Sequence, residues 1–236
     1  MTFRPYPGIT IASLIVLAIL CWLGGWQLER RDWKLALIDQ VERNMAAPPI
    51  TLDAALALPP DDAQYRHVRL EGRFDHDRES YVFTTDAGAA VYHVLTPFHT
   101  RDGRTLMVDR GEVPRERLDP ATRAAGNVAG PAQVVGVWRV PDPPGGFTPP
   151  PDSTTHIWYA RDLAGISEAQ GLTLAAPVVI EADATPNPGG WPKGGRTVVA
   201  FRNQHLSYAV TWFGLAACLV GVWLAYHVSR GRIGWK

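Results

Sequence analysis

Residues 9–28 read ITIASLIVLAILCWLGGWQL, a run of twenty residues that carries no formal charge. At about 1.5 Å per residue, a helix of this length crosses a hydrocarbon layer of about 30 Å. A second uncharged run, LSYAVTWFGLAACLVGVWLAY, occupies residues 206–226. The two runs predict a membrane protein with two transmembrane helices. They divide the chain into a short N-terminus (1–8), a first span (9–28), a loop domain (29–205), a second span (206–226) and a tail (227–236).

The first span is expected to remain in the mature protein. It is longer than the apolar core of a secretory signal peptide, and it ends in bulky residues rather than in a small-residue cleavage site. Both cysteines, Cys21 and Cys218, lie in the spans. The loop domain is therefore expected to contain neither a disulfide nor a cysteine-based metal or redox site.

The charges of the chain balance, with 23 basic and 23 acidic side chains. A nucleic-acid-binding protein carries a basic excess, so no nucleic-acid partner is expected. Charge does not decide the orientation in the membrane. Basic residues flank both ends of the two spans, and long loops cross a membrane largely regardless of their charge.

Seven segments of the loop domain alternate between apolar and polar residues and are rich in β-branched and aromatic side chains, which predicts short strands at 65–74, 79–85, 90–98, 105–109, 133–140, 156–160 and 178–182. The turn at 101–104 contains Asp-Gly, which is typical of a hairpin. The fold class is therefore α+β: two transmembrane helices flank a mostly antiparallel sheet or partly closed barrel.

Short helices are expected beside this sheet. Residues 33–45 predict an amphipathic helix that leaves the membrane surface and is stopped by Pro48-Pro49. Residues 162–171 predict a second helix, opened by an Asp cap and closed by Gly. The proline-rich segment 141–151 is expected to be an exposed loop.

No motif of the loop domain indicates an enzyme. It has no phosphate-binding glycine loop, no nucleophile elbow, no HExxH and no paired-carboxylate signature. Histidine pairs at 67 and 76, or at 93 and 99, are candidates for metal ligands across strands. Their scattered spacing favours ordinary surface or half-buried imidazoles.

Unusual residues gather where the loop meets the spans, and both junctions lie at one membrane face. On a helix, His205, Tyr208 and Trp212 fall within about 60° of one another, in a stripe roughly 10 Å long. Together with Arg202, Arg30 and Trp26 they supply an axial imidazole for haem iron, flat aromatic faces and guanidinium groups for propionates. The alternative is that these residues only anchor the helices among lipid headgroups.

The small residues of the spans predict close helix packing, either of one span against the other or against a partner. They are Gly214, Ala217 and Gly221 in the second span and Ala18, Cys21 and Gly25 in the first. Gln27, at the membrane edge, is expected to form a hydrogen bond between helices.

The same junctions carry a resemblance to a known family. The segment LGGWQLER at 23–30, followed by Trp33-Lys34, resembles the opening motif of the surfeit locus protein 1 family, and NQHLSYAVTWFGLA at 203–216 resembles its closing motif. Between them, GRFD at 72–75, TPF at 96–98 and VDRG at 108–111 follow the order of the family. Glu112 departs from the pattern, because the family usually has Trp after the Arg-Gly pair, and this puts one local contact in doubt.

The resemblance implies an assembly factor of haem-copper cytochrome c oxidase. Family members have both termini inside and the large loop outside, which in a bacterium means the inner membrane and the periplasm. The implied role is to take haem a from haem a synthase and assist its delivery into oxidase subunit I, with His205 as the haem ligand and Trp212 beside it. A scaffold that stabilises subunit I or the synthase without haem is the alternative. A copper chaperone is disfavoured, because the loop has no cysteine and only two methionines.

Overall fold

The computed structural model describes residues 2–152, 154–197, 201 and 203–234. The chain divides into two compact units, one made of residues 1–40 and 200–236 and the other of residues 41–199. The first unit is mainly helical, and the second contains the large sheet. The N-terminal helix contributes residues to both units.

The helices and strands have the following bounds. The helices are α1 (Pro7–Ala46), α2 (Leu52–Ala57), α3 (Pro60–Ala63), α4 (Leu163–Gln170) and α5 (His205–Ser229). The strands are β1 (Thr2–Phe3), β2 (Ile50–Thr51), β3 (His67–Phe74), β4 (Ser80–Asp86), β5 (Ala89–Thr100), β6 (Thr105–Pro114), β7 (Ala132–Arg139), β8 (Ile157–Trp158), β9 (Val179–Ala182) and β10 (Ile233–Gly234). Short 3₁₀ turns occupy His76–Arg78, Arg115–Arg117, Pro120–Gly126 and Pro188–Gly190.

Helices α1 and α5 of the first unit pack side by side and run in opposite directions. Their contacts along the pair, in order, are Tyr6 with His227, Thr10 with Trp223, Gly24 with Phe213, and Gln27 with His205. Both helices are long and apolar enough to cross a membrane. Large apolar side chains on their outer surfaces, Trp22 and Val222 among them, are exposed.

One prediction about the first helix is wrong in detail. The sequence predicted a separate amphipathic helix at 33–45, but α1 continues without interruption from Pro7 to Ala46. The segment after Leu28 has no glycine or proline up to Ala46 and is rich in strong helix formers, so nothing breaks the hydrogen-bond ladder there. The helix ends just before Pro48-Pro49, as expected.

The glycines predicted to pack closely do not pack against the other span, and their packing against a partner stays a prediction. No atom lies within 4 Å of a Cβ built on Gly25, Gly214 or Gly221. The helices instead meet at Gly24, which is buried and packs on the ring of Phe213 at a distance that leaves no room for a Cβ. A side chain at position 24 would require the ring of Phe213 to move.

The second unit contains an eight-stranded sheet in the order β2-β3-β7-β9-β6-β5-β4-β8, and β3 also pairs with β5. Strands β3, β7, β9, β6 and β5 therefore form a closed ring. The sheet is mostly antiparallel, as expected, but it is mixed, because the short pairings β2–β3, β4–β8 and β6–β9 are parallel. The sheet is mixed because β9 and β8 enter it from long loops rather than from hairpins.

The closure of the ring depends on Gly72. This residue of β3 pairs with Ala132 on one side and with Thr100 on the other. A Cβ at Gly72 would lie 2.1 Å from the carbonyl oxygen of His99. The two backbones can approach this closely only because position 72 has no side chain.

The inside of the ring holds the main core. Leu70, Phe98, Leu106, Val108 and Ile180 are almost completely buried there and come from four different strands. A second cluster, with Val82, Leu95 and Ile166, lies between the sheet and α4. In β3 the buried side chains alternate with exposed polar ones, which is the pattern from which the strand was predicted, whereas residues 106–108 of β6 are all apolar and buried.

The local elements agree closely with the sequence. All seven predicted strands occur, although β8 is reduced to two residues and β6 extends to Pro114. Helix α4 begins after Asp162, whose side chain accepts from the Gly165 N–H, and it ends at Gly171 with left-handed φ of 61°. The segment 141–151 contains neither helix nor strand.

Candidate functional site

His205 begins helix α5 and is hydrogen-bonded to the neighbouring helix. Its Nδ1 lies 2.8 Å from Oε1 of Gln27, a residue of α1. The backbone N–H of His205 donates to Oδ1 of Asn203 at 3.3 Å. The prediction that Gln27 forms a hydrogen bond between helices is confirmed, and the structure identifies its partner.

This hydrogen bond determines which ring nitrogen carries the proton. An amide oxygen can only accept, so Nδ1 of His205 must be the protonated nitrogen that donates to it. Among the described residues, nothing hydrogen-bonds to Nε2, the other ring nitrogen. Histidines that bind metals usually donate their other ring N–H in this way, which fixes the orientation of the ring and raises its basicity.

Tyr208 and Trp212 share the side of α5 that His205 occupies, as their spacing of three and seven residues predicted. Tyr208 is exposed and Trp212 is half-buried. Ala209 and Ala216, which are buried, mark the face of α5 that contacts α1. The two aromatic rings therefore flank the helix contact, next to His205, and offer flat faces at its edge.

The remaining predicted residues lie elsewhere around the first helix or outside the described part of the chain. Trp26 is exposed and about 100° away from Gln27 around α1, so it lies on a different face. Arg30 shares that face, and its guanidinium stacks on the ring of Trp33 with Cζ 4.2 Å from the centroid. Arg202 lies outside the described residues.

The other histidine of this unit shows what a purely structural imidazole looks like. His227, near the end of α5, is fully buried. Its Nε2 accepts from the backbone N–H of Tyr6 at 3.1 Å, and its Nδ1 lies 2.8 Å from the carbonyl oxygen of Trp223, to which it donates. Both nitrogens are used, so His227 has no lone pair for a metal.

The sheet unit contains a buried ionic network that sequence reasoning missed. Glu79 receives hydrogen bonds from Arg110 (3.0 Å), from Arg123, and from the hydroxyl of Tyr81 (3.2 Å). Burial alone would raise the pKa of Glu79, but the contacts with His76, Arg123 and Arg110 outweigh it and lower the pKa to about 2. Burial and the charge of Glu79 raise the pKa of Tyr81 to about 12.

A second network lies next to it along β6. The carboxylate of Asp109 is 2.8 Å from Nδ1 of His93 and 2.8 Å from the guanidinium of Arg161. Burial alone would raise the pKa of Asp109, but these two partners lower it to about 2. Burial alone would lower the pKa of His93, but Asp109 raises it. The sequence analysis did not single out Asp109 or Arg110, although a charged pair directly after the apolar residues 106–108 of a strand is a signal that could have indicated such a site.

Three of the four histidines proposed as metal pairs have hydrogen-bond partners within the protein. His76 bonds to the carbonyl oxygen of Val128, His93 to Asp109, and His99 to Thr105 and Asp75. Across the residues that the structure describes, no group of three His, Cys, Asp or Glu side chains could hold a metal ion.

The position that departs from the family motif makes a contact of its own. The carboxylate of Glu112 pairs with the guanidinium of Arg196, and its backbone exchanges two hydrogen bonds with Lys193, each of 3.0 Å. The preceding residue, Gly111, has φ of 111°, and a Cβ there would lie 2.0 Å from the carbonyl oxygen of Lys193. A residue with a side chain would not fit at position 111.

Comparison with known proteins gives one consistent result. The model of the SURF1 family matches residues 14–217. Surfeit locus protein 1 of Mus musculus is 36% identical over 239 residues, which cover 93% of this chain and 76% of that protein. Its namesake in Takifugu rubripes is 34% identical over 93% of this chain and 97% of that protein. The Homo sapiens protein of the same name is 35% identical over 90% and 75%.

Proposed function

This chain belongs to the SURF1 family, and we propose that it is an assembly factor for haem-copper cytochrome c oxidase that holds haem a and assists its delivery into subunit I. The observation that carries the proposal is the hydrogen bond between His205 and Gln27. It orients the ring and leaves Nε2 of His205, the second nitrogen of the imidazole, without a hydrogen-bond partner among the described residues, so that this nitrogen can bind iron.

The residues around His205 fit a haem. Tyr208 and Trp212 lie on the side of α5 that His205 occupies and offer flat faces to a macrocycle. Arg30 lies on another face of α1 and stacks on Trp33, so its guanidinium would have to leave that ring to pair with a propionate. Bound haem would supply an iron centre for later use by the oxidase. The residues of this chain bind and orient it, and they carry out no chemical step, so we propose that the protein is not an enzyme.

The proposed location is the inner membrane of a bacterium. Helices α1 and α5 would be the two membrane-spanning segments, with the residues from 29 to 205 in the periplasm and both termini in the cytoplasm. Gln27 and His205 lie where the apolar part of each helix meets a polar sequence. The haem edge would then reach water and lipid headgroups while its apolar tail stayed among lipid chains.

The proposed partners follow from this role. Haem a synthase would supply the haem, oxidase subunit I would receive it, and membrane lipid would surround the helix pair. No copper step is included, because the described residues hold no thiolate, thioether or histidine cluster of the kind that copper carriers use.

The test is an absorption spectrum of the full-length protein purified from cells that make haem a. The wild-type protein should carry a Soret band in stoichiometric amount, and His205→Ala should lose or shift it at an unchanged membrane level. His156→Ala, which removes an exposed histidine of the sheet unit, is the matched control and should keep the band. Trp212→Phe keeps an aromatic face and should weaken haem retention less than His205→Ala.

Two results would contradict the proposal. A wild-type protein without haem, although it still promotes oxidase assembly, would favour the scaffold that works without a cofactor. An unchanged spectrum in His205→Ala would show that this histidine does not bind the iron.

A further inference from the structure

Basic residues without acidic partners gather at the end of the helix pair where the two terminal strands meet. Arg4 precedes α1, and Arg230 and Arg232 follow α5. Neither residues 1–28 nor residues 203–236 contain an aspartate or a glutamate. Among the described residues, none of the three arginines is paired with a carboxylate. This end of the helix pair therefore carries positive charge that no acidic side chain of the two segments balances.

Two of these arginines oppose one another across a strand pair. Strands β1 and β10 are antiparallel, with Phe3 opposite Ile233. The pairing continues one residue further, because the backbone N–H of Arg4 donates to the carbonyl oxygen of Arg232 at 2.9 Å. Directly opposed residues of an antiparallel pair share one face, and like charges at such positions are destabilising. An anion between the two guanidinium groups would remove this repulsion.

Aromatic rings hold two of the guanidinium groups in place. The Cζ of Arg232 lies 4.3 Å from the ring centroid of Tyr6, and the Cζ of Arg230 lies 5.6 Å from the ring centroid of Tyr226. The two tyrosine rings are 6.1 Å apart, and both contact the buried imidazole of His227. Stacking uses the flat face of a guanidinium and leaves the N–H groups at its edge available to an anion.

The opposite face of the same strand pair is apolar. Successive side chains of a strand point to opposite faces, so Phe3 and Ile233 share the face away from Arg4 and Arg232. Phe3 is 69% exposed. An isolated pair of strands is at best marginally stable in water, and this pair lies at the ends of two helices that are apolar enough to cross a membrane. A strand pair with one basic and one apolar face suits the boundary between lipid headgroups and acyl chains.

We propose that the terminal strand pair binds the headgroup of an anionic phospholipid, whose phosphate accepts hydrogen bonds from Arg4 and Arg232 while Phe3 enters the acyl-chain layer. Guanidinium groups pair with phosphate through two parallel hydrogen bonds, and basic residues near an anionic membrane surface are attracted to it. Arg230, two residues before Arg232, adds a third positive charge. The inference rests on the proposed placement of α1 and α5 in a membrane and does not involve haem.

The experiment is native mass spectrometry of the full-length protein in detergent, titrated with phosphatidylglycerol. Phosphatidylcholine, which has a phosphate but no net charge, is the comparison lipid. The wild-type protein should retain one phosphatidylglycerol per chain more tightly than further copies, and should retain phosphatidylcholine at least about tenfold more weakly, because choline offsets the charge of the phosphate. Glycerophosphoglycerol, the same headgroup without acyl chains, should not displace the lipid at equal concentration, because it cannot use the apolar face of the strand pair.

Three variants locate the binding. Arg4→Gln removes one of the two opposed charges at an exposed position and should weaken the retention of phosphatidylglycerol about fivefold. Arg4→Gln combined with Arg232→Gln should weaken it about 25-fold. Arg31→Gln is the matched control, because it lowers the net charge equally at a position where Asp32 lies 3.8 Å away, and it should leave retention unchanged. If the double variant fails to fold, Arg4→Gln alone decides.

Three results would overturn the proposal. Equal retention of both lipids would show that the headgroup charge is not recognised. An equal loss in Arg31→Gln and Arg4→Gln would show a diffuse attraction rather than a site. Displacement by glycerophosphoglycerol would show that the ligand is a soluble phosphate ester. None of these results bears on the proposed function, which fails separately if cell fractionation finds the protein outside the membrane or if the purified wild type carries no haem.

Discussion

Replacing Glu79 by Gln should destabilise the sheet unit strongly, by an amount that follows from its pKa. A carboxyl group whose pKa falls from 4.5 to about 2 on folding contributes about 3 kcal/mol at neutral pH. Glutamine keeps the shape but removes the charge, so Arg110 and Arg123 stay buried without their carboxylate. Breaking a buried ion pair in this way costs about 3 to 5 kcal/mol, which agrees with the value from the pKa.

The pH dependence has a definite sign. Because the folded pKa of Glu79 is lowered, its contribution is complete above the unfolded value of 4.5 and is lost as the pH falls from there towards 2. The difference between the wild type and Glu79→Gln should therefore be full at pH 7 and much smaller at pH 2.5. For a unit that spans residues 41–199, about 3 kcal/mol corresponds to roughly 6 to 12 °C in melting temperature.

The assay is thermal unfolding of the full-length protein in nanodiscs, followed by the β signal in circular dichroism. Glu71→Gln is the control, because Glu71 forms an exposed ion pair with Arg101 and its loss should change stability by about 0.5 kcal/mol or less. Equal melting temperatures of Glu79→Gln and the wild type at pH 7 would refute the reasoning, as would a difference that persists undiminished at pH 2.5.

Three further predictions concern the helices, the orientation and the sheet unit. Gln27→Leu removes the acceptor for Nδ1 of His205 and should weaken haem retention by about 10- to 100-fold. Gln27→Glu keeps an acceptor and should retain haem. Equal loss of haem in both variants would count against a role of this hydrogen bond. A phosphatase that works only in the periplasm should be active when inserted in the loop at 141–151, and activity of a cytoplasmic reporter there would reverse the proposed orientation. Residues 35–200 expressed alone should give a β-type spectrum and a cooperative melt, because the ring of strands encloses its own core; a random-coil spectrum would show that the spans are required.

The elements that depend on local sequence were predicted well. The two apolar runs, the alternating strands and the capped helix α4 follow from periodicity and from single residues such as Asp162 and Gly171. The His205 stripe also followed from helical spacing. Each of these features depends on residues that are close together in the chain, so the local sequence is enough to predict it.

The contacts around His205 and those in the ionic network around Glu79 are visible only in the tertiary structure. Gln27 and His205 are separated by 178 positions, and Glu79 and Arg123 by 44. The closure of the ring at Gly72, and the parallel pairing of β6 with β9, likewise join distant parts of the chain. No periodicity in a single sequence specifies which distant residues meet, because that is decided by how the helices and strands pack to bury their apolar faces together.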